Sequence, residues 1–297
     1  TLTDGLLIYQ KDSKELKNTL KSIEEYQLNH RILSKNEAEK EYPQHRLNPD
    51  DVIVVDQQAG FVRSQLAILA AVTRAEELGA TIYRHSPVEK IETHSSEQTV
   101  KITANGQTYT VSQVIITAGP WINKVFPVFK EHIEIRRLVG TWFPAKQMAQ
   151  FSPENFPVFT RNSKNLSCYG IPSIDGTMVK VAFGPNKPIE SPNSLNKHVT
   201  TEEIDHTREL IDTYFSGLYN EPNRIQAFME AYTKDGHPII GKIPNQENVI
   251  VACGFSGHGF KMSSAIGKLL ADLATDQDPG FNIEHLNPTR FLNKVNQ

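Results

Sequence analysis

The sequence predicts an α/β fold with α+β character, in which a partial α/β layer is interleaved with a mostly antiparallel sheet domain. Three observations predict it. A helical pattern begins at Ser64 and ends at Gly79, with a short apolar segment after it. Strand-like segments rich in proline and aromatic residues fill much of 133–233. Near the carboxyl end, an apolar strand leads through a glycine-rich loop into another helix.

Residues 1–45 are predicted to form a strand followed by two helices. The apolar run at 6–9 is typical of a strand in the middle of a domain. Ser13 is placed to cap a helix whose apolar residues recur at three- and four-residue steps. Ser34 and Glu37 have the spacing of a capping box, and the helix they begin ends before Pro43.

The helix that starts at Ser64 is expected to lead into a parallel α/β layer. Short strands are predicted at 80–84, 88–91, 100–103 and 109–111, with a hairpin turn at Asn105-Gly106. A further apolar strand at 114–117 runs into Ala118, Gly119, Pro120 and Trp121, where small residues let the backbone approach a ligand.

The remainder is predicted to hold a second layer and the end of the first. Residues 133–233 contain one helix near 202–217 among the antiparallel strands. The strand at 248–253 then precedes the glycine loop and a helix with apolar positions at Ile266, Leu269, Leu270 and Leu273.

Composition excludes several classes of protein. The 297 residues are enough for two domains, and the formal net charge is −3 without any basic stripe, so nucleic acid is not an expected partner. No apolar run approaches the roughly 20 residues that span a bilayer, and no signal peptide is recognisable, so no membrane association and a cytoplasmic location are expected. The two cysteines, Cys168 and Cys253, suit neither a metal site nor a disulfide framework. The first residue is not Met, and the chain is expected to be a fragment.

The glycine loop at 254–261 allows two interpretations. Glycines at 254, 257 and 259 permit positive φ angles, and the free N–H groups of the following helix suit an anion or an electron-rich ring edge. The alternative is a tight strand-to-helix turn that needs glycine for its geometry alone. The spacing does not decide between them, and neither of the two common nucleotide-binding glycine patterns occurs in the chain.

The sequence resembles a known family, the flavoenzymes of the monomeric sarcosine oxidase and N-methyltryptophan oxidase type within the D-amino acid oxidase group. The resemblance spans nearly the whole chain. It rests on Gly60 with the helix at 64–79, on Val88 and Ile91, and on the motifs at 117–121, 232–241 and 254–261.

The resemblance implies a site for FAD and a division into two domains. A FAD-binding layer would comprise 46–125 and 236–297, without its N-terminal Rossmann segment, and a substrate-binding and catalytic domain would comprise 1–45 and 126–235. The residues expected at the cofactor are Val88, Ala118, Gly119, Trp121, Gly254, Ser256, Gly257, His258, Gly259, Phe260 and Lys261. Backbone donors of the loop would meet the pyrimidine edge of the flavin.

The resemblance also implies substrate-binding and catalytic residues, each with a structural alternative. Lys261 and Gly257 would bind substrate, with the lysine holding its carboxylate; a solvated surface lysine is the alternative. Lys180 would assist the reaction of oxygen, although strand alternation alone would direct it to water. Tyr169 and Tyr232 would line the substrate cavity, or serve only as amphipathic packing residues.

The chain departs from the family pattern in three respects. The dinucleotide-binding segment and an arginine that pairs with the substrate carboxylate are not present, so this polypeptide by itself is expected to bind FAD weakly or not at all. Glu230 occupies the position of the cysteine that tethers the flavin, which predicts a dissociable FAD. Gly184 replaces an active-site histidine.

The predicted function is FAD-dependent oxidation of a small amino acid, such as sarcosine or another N-methyl amino acid, by oxygen. The products would be an imine and hydrogen peroxide, and the enzyme is expected to be a monomer without a metal. A glycine or D-amino acid oxidase or dehydrogenase is the alternative within the enzyme class. A non-catalytic fragment of such an enzyme is the alternative outside it.

Overall fold

The computed structural model describes residues 1–93, 99–164, 166–184 and 187–292, and shows a mixed α/β fold, as predicted. Strands and helices, numbered in chain order, are β1 (Gly5–Gln10), α1 (Lys14–Tyr26), β2 (His30–Leu33), α2 (Lys35–Glu41), β3 (Asp51–Asp56), α3 (Ser64–Glu77), β4 (Val88–Thr93), β5 (Val100–Ala104), β6 (Gln107–Val111), β7 (Val114–Ile116), α4 (Ile122–Val125), β8 (Ile133–Phe143), β9 (Val158–Ser163), β10 (Leu166–Ile171), β11 (Val179–Phe183), β12 (Lys187–Ile189), α5 (Thr201–Tyr214), β13 (Arg224–Thr233), β14 (Ile239–Ile243), β15 (Gln246–Cys253), α6 (Gly259–Ala274) and α7 (Thr289–Leu292).

The chain divides into two compact units. Unit 1 is made of Thr1–Arg63, Leu138–Asn186 and Asn196–Phe228, and unit 2 of Ser64–Arg137, Lys187–Leu195 and Met229–Gln297. These boundaries differ from those predicted for the two domains at 45/46, 125/126 and 235/236. The first differs because β3 pairs with β1 over its whole length and therefore lies in the same unit as 1–45. Assignment of one domain to FAD and the other to substrate stays a prediction.

A mostly antiparallel sheet forms the centre of unit 1. Its strands lie in the order β8, β11, β10, β9, β1, β3, β2, and only the β1 and β9 pair is parallel. The core on this sheet includes several completely buried aromatic rings, among them Phe143, Phe151 and Phe156. Burial of one such ring stabilises a fold by about 2–3 kcal/mol.

The predicted caps of α1 and α2 are confirmed. The Ser13 hydroxyl accepts a hydrogen bond from the backbone N–H of Leu16 at 3.2 Å. At the start of α2, the Ser34 hydroxyl accepts from the N–H of Glu37, and the Glu37 carboxylate accepts from the N–H of Ser34 at 2.8 Å. Each cap satisfies N–H groups that a helix leaves free in its first turn, so both helix starts are determined locally.

Two three-stranded sheets lie in the described part of unit 2. In one, β15 lies between β14, which is antiparallel to it, and β7, which is parallel to it. The other is the predicted hairpin layer of β4, β5 and β6, all antiparallel. Apolar residues of β7, β14 and β15 are buried, including Ile116, Ile239 and Val251. This parallel β7 and β15 pair is the part of the structure that corresponds to the predicted α/β layer.

Helix α3 is present as predicted, but residues 80–84 are not a strand. Strands require a hydrogen-bonded neighbour, and no described strand pairs with this segment. The helix itself has no buried residue; Leu66 is 59% exposed and Leu69 is 57% exposed. Within the ranges described above, no helix is long and apolar enough to span a membrane.

A fully buried ion pair lies in the core of unit 1. Arg161 donates to the Asp51 carboxylate at 2.7 Å, and both side chains are completely inaccessible to solvent. Asp51 also accepts hydrogen bonds from the Ser163 hydroxyl and from the backbone N–H of Asn48. The arginine stacks over the Tyr214 ring with 4.8 Å between the guanidinium carbon and the ring centre. The pair is therefore held by several partners, as a buried charge requires.

His45 is buried in unit 1 among aromatic rings. It lies nearly parallel to Phe156 at 5.0 Å between ring centres. It meets Phe159 edge-to-face at 4.8 Å and the tilted ring of Phe215 at 5.4 Å. Neither ring nitrogen has a hydrogen-bond partner among the described residues. Burial, together with the positive charge of Arg161, lowers the His45 pKa to about 3. The folded chain thus holds this imidazole neutral.

We expect the stability of the protein to fall as the pH falls below about 6.5, in part because of His45. The unfolded chain binds a proton there while the folded chain does not, so unfolding becomes easier by up to about 1.4 kcal/mol per pH unit until the folded pKa is reached. In His45→Phe this contribution disappears. Urea unfolding at about pH 8 and about pH 5 measures the difference. Between these two pH values the free energy of unfolding of His45→Phe should fall by about 2 kcal/mol less than that of the parent.

Replacement of an exposed histidine of α5, in His206→Gln, is the matched control and should keep the parental pH dependence. A His45→Phe protein with the same pH slope as the parent would show that this imidazole is not held neutral in the fold.

Candidate active site

Two segments that could contact a ligand leave the same edge of the sheet formed by β14, β15 and β7. Strands β7 and β15 are parallel, with Ile116 opposite Val251, so the segments that follow them emerge side by side. The first contains Ala118 and Gly119, and the second is the glycine loop. Crevices at the carboxyl ends of parallel strands are the usual ligand sites of α/β sheets.

The loop conformation requires glycine at two of its positions. Gly254 has φ +66°, and a Cβ there would lie only 2.5 Å from Cγ2 of Thr233. Gly257 has φ +86°. Ser256 also lies in the left-handed region, at φ +51°, which is uncommon for a residue with a side chain. These positive φ angles turn the backbone sharply between β15 and α6.

The loop is attached firmly to the end of β13. The backbone N–H of Ser256 donates to the carbonyl of Ala231 at 3.0 Å, and the Ser256 hydroxyl accepts from the N–H of Thr233 at 3.1 Å. Tyr232 forms a bridge with Phe255 between these two contacts. Ser256, predicted as a cofactor residue, is thereby seen to fix the loop in place.

Helix α6 begins directly after the loop with an uncapped amino terminus. His258 occupies the N-cap position and makes no side-chain capping bond. The first N–H groups of α6, from Gly259, Phe260 and Lys261, therefore lack the side-chain partner that caps α1 and α2. Lys261 is exposed in this first turn. Free donors, the positive end of the helix and a lysine suit an electron-rich ring edge and a carboxylate.

Polar side chains of β13 converge on Gly257. The Tyr232 hydroxyl donates to Oε2 of Glu230 at 2.9 Å. A Cβ at Gly257 would lie 3.4 Å from that carboxylate oxygen and 3.7 Å from the tyrosine oxygen. The guanidinium of Arg136 lies 4.7 Å from the centre of the Tyr232 ring. Burial and the Lys261 charge lower the pKa of His258, and the Glu230 charge acts in the opposite direction.

Unit 1 contains a second group of predicted residues, on one face of its sheet. Lys180 on β11 lies directly opposite Trp142 on β8, with Nζ 5.4 Å from an indole ring centre. The same Nζ lies 5.0 Å from the ring centre of Tyr169 on β10. Lys180 has no carboxylate partner among the described residues, so two aromatic faces hold its charge. Arg224 covers the indole as well, at 4.5 Å.

The other predicted residues lie elsewhere in unit 2. Val88 is the first residue of β4 and belongs to the hairpin sheet. Trp121 ends a short 3-10 helix that starts at Gly119, and its side chain is 41% exposed. Asp235, in the motif at 232–241, accepts a hydrogen bond from Arg290 at 2.9 Å. Burial raises the pKa of this carboxyl, but the hydrogen bonds from Arg290 and from the His237 N–H outweigh burial and lower the pKa to about 2.

Sequence reasoning overlooked Glu230, Trp142 and Arg224 as members of these groups. For Glu230 a signal was present, because residues two apart on a strand share a face and Tyr232 is two residues away. Trp142 and Arg224 depend on pairing between distant segments, which the local sequence does not reveal. No described cluster of three or more His, Cys, Asp or Glu side chains could hold a metal ion.

The family model for FAD-dependent oxidoreductases matches residues 2–273. The chain belongs to this family. Among its relatives, monomeric sarcosine oxidase of Streptomyces avermitilis is 29% identical over 98% of this chain and 77% of its own length. Monomeric sarcosine oxidase of a Bacillus species is 30% identical over 91% of this chain and 70% of its own length. N-methyl-L-tryptophan oxidase of Salmonella agona is 28% identical over 94% of this chain and 74% of its own length.

Solved structures of other proteins share the fold. NikD, described as an unusual amino acid oxidase, superposes with a TM-score of 0.80 at 16% identity, over 97% of this chain and 77% of its own. Glycine oxidase from Geobacillus kaustophilus gives a TM-score of 0.73 at 18% identity, over 97% and 76%. The predicted family resemblance, fold class and flavin-dependent amine oxidase class are confirmed. The described loop and uncapped helix fit a flavin, because they offer free donors to its electron-rich edge.

Proposed function

We propose that the protein oxidises a small N-methyl amino acid such as sarcosine, with oxygen as the electron acceptor and an imine and hydrogen peroxide as products. A bound flavin would take a hydride equivalent from the carbon next to the amine and return the electrons to oxygen. The observation that carries the proposal is the uncapped α6 amino terminus behind a loop of positive-φ residues, with Lys261 in its first turn.

The residues of unit 2 would bind and orient the reactants. Free N–H groups of Gly259, Phe260 and Lys261 would stabilise negative charge on the ring edge, and Ala118 and Gly119 would meet the cofactor along the neighbouring strand end. Lys261 would hold the substrate carboxylate. The small Gly257 would let substrate approach the loop closely.

A dissociable FAD is part of the proposal. Glu230 cannot form a thioether, and Cys168 and Cys253 are both buried, which raises the pKa of each thiol to about 12. Such thiols remain protonated and poorly nucleophilic at neutral pH. We therefore expect the cofactor to separate from the protein on denaturation.

Oxidation of glycine or a D-amino acid is the second candidate. It is favoured by Gly184, which replaces a histidine of the family's active site and would therefore alter the surface that meets the amine. Peroxide release with sarcosine, glycine and D-alanine compared side by side separates the two candidates, since only the sarcosine enzyme prefers the N-methylated substrate.

Titration of the full-length protein with FAD tests the site, read by flavin absorbance near about 450 nm. In Gly257→Ala, a side chain at φ +86° costs about 1–2 kcal/mol and moves the loop, so FAD should bind about tenfold more weakly. Gly267→Ala in the middle of α6 is the matched control, because an added Cβ meets no atom within 4 Å. It should keep FAD affinity and raise stability by about 0.5–1 kcal/mol. Equal FAD affinity in both variants would contradict the proposed site.

A further inference from the structure

Glu230 is a carboxylate at a site that otherwise attracts anions. It lies on β13 beside the loop and is half-buried. No lysine or arginine of the described residues forms a salt bridge with it, and the nearby Arg136 pairs with Glu134 instead. Its one hydrogen-bond donor here is the neutral hydroxyl of Tyr232. A partly desolvated carboxylate with a neutral partner favours the approach of a cation.

The carboxylate oxygen that accepts the Tyr232 hydrogen bond also faces the glycine loop. This oxygen, Oε2, lies 3.4 Å from the place where a Cβ would stand at Gly257, and the tyrosine oxygen lies 3.7 Å from the same place. Glycine leaves that space open, so a small ligand over Gly257 would meet both oxygens. Two oxygen atoms at this point are a poor environment for an anion and a good one for an ammonium group.

Charges of both signs lie around the same loop. The positive charge of Lys261 and the negative charge of Glu230 both act on the imidazole of His258. An amino acid zwitterion carries its ammonium and carboxylate on either side of one carbon. Lys261 and Glu230 are therefore complementary in sign to the two ends of such a ligand.

We propose that Glu230 binds the positively charged amino group of the substrate, and that it makes the site selective for zwitterions over simple carboxylates. This inference rests on the proposed function and adds a specificity-determining residue to it. Tyr232 is a positioning residue in this arrangement, because its hydroxyl holds the Glu230 carboxylate toward Gly257. The carboxylate also compensates for the positive charge that the helix end and Lys261 bring to the loop.

Two unreactive ligands of equal shape test the proposal. Glycine betaine and 3,3-dimethylbutanoate share a carboxylate and differ in having a quaternary nitrogen or a neutral carbon at the amine position. Calorimetric titration of the FAD-loaded full-length protein should show about tenfold tighter binding of betaine, the ratio expected for a partly screened charge pair. In Glu230→Gln the ratio should fall to about one, with the affinity for 3,3-dimethylbutanoate retained.

Variant controls separate recognition from general electrostatics. Glu134→Gln removes a nearby negative charge that is already paired with Arg136 and should keep the parental ratio. Tyr232→Phe leaves the carboxylate but not its hydroxyl donor, so an intermediate ratio is expected. A parental ratio in Glu230→Gln, or a parent protein with no preference for betaine, would overturn the role of Glu230. Failure of the parent to bind either ligand would instead contradict the carboxylate site and the proposed function itself.

Discussion

Lys180→Met should slow the reaction of the reduced full-length enzyme with oxygen about a hundredfold, the usual effect of removing one well-placed electrostatic stabiliser. The ammonium lies over two aromatic rings, 5.4 Å from Trp142 and 5.0 Å from Tyr169, and no carboxylate of the described residues pairs with it. It is therefore available to stabilise negative charge that develops on oxygen. Stopped-flow mixing of anaerobically reduced enzyme with oxygen measures this step directly.

The rate of reduction by substrate should change little in the same variant, since the role of Lys180 concerns oxygen. Lys180→Arg keeps the charge and should recover much of the rate. Lys261→Met is the matched control, because it should raise KM for the amino acid and leave the oxygen step at the parental rate. An unchanged oxygen step in Lys180→Met would remove this residue from the mechanism.

Asp51→Ala should lower the free energy of unfolding by about 3–5 kcal/mol, the range found when one partner of a buried ion pair is removed. Arg161 would then remain fully buried with its charge uncompensated, since its Nε and Nη1 atoms have no hydrogen-bond partner among the described residues. Chemical denaturation of the parent and the variant measures the difference. Asp50→Ala, at the exposed neighbouring position, should change it by less than about 0.5 kcal/mol.

A double variant keeps this prediction testable if Asp51→Ala does not fold. Asp51→Leu combined with Arg161→Met replaces both charges with apolar side chains, which is often neutral or stabilising. The double variant should therefore be more stable than either single variant. Additive losses from the two single changes would show that the ion pair is not the source of the effect.

Local signals in the sequence predicted the helix starts and the hairpin correctly. Ser13 and Ser34 cap their helices through atoms within three residues, so the prediction depended on nothing distant. The segment at 80–84 has the composition of a strand, but none of the described strands pairs with it, and composition alone does not supply a partner. The Arg161 and Asp51 pair joins positions 110 residues apart, and no periodicity in the sequence indicates such a contact.

The candidate site was predictable in its loop and less so in its surroundings. Gly254 and Gly257 have the positive φ angles that the glycine spacing indicated. The His258 side chain does not cap the amino terminus of α6. The sequence could not show this, because an imidazole is able to form a capping hydrogen bond. The sequence indicated only that Glu230 occupies the position of the tethering cysteine. The role proposed for this carboxylate depends on the hydrogen bond from the Tyr232 hydroxyl, which the sequence does not show.

The alternation of the two units along the chain has a consequence for how the protein folds. The chain passes from one unit to the other at 63/64, 137/138, 186/187, 195/196 and 228/229, so neither unit can be released by a single proteolytic cut. Strand β1 pairs with β9, which lies about 150 residues later in the chain, and β7 pairs with β15, which lies about 130 residues later. Closing such distant pairs is slow, and apolar strands stay uncovered meanwhile. During synthesis, neither unit can be completed until most of the polypeptide has left the ribosome.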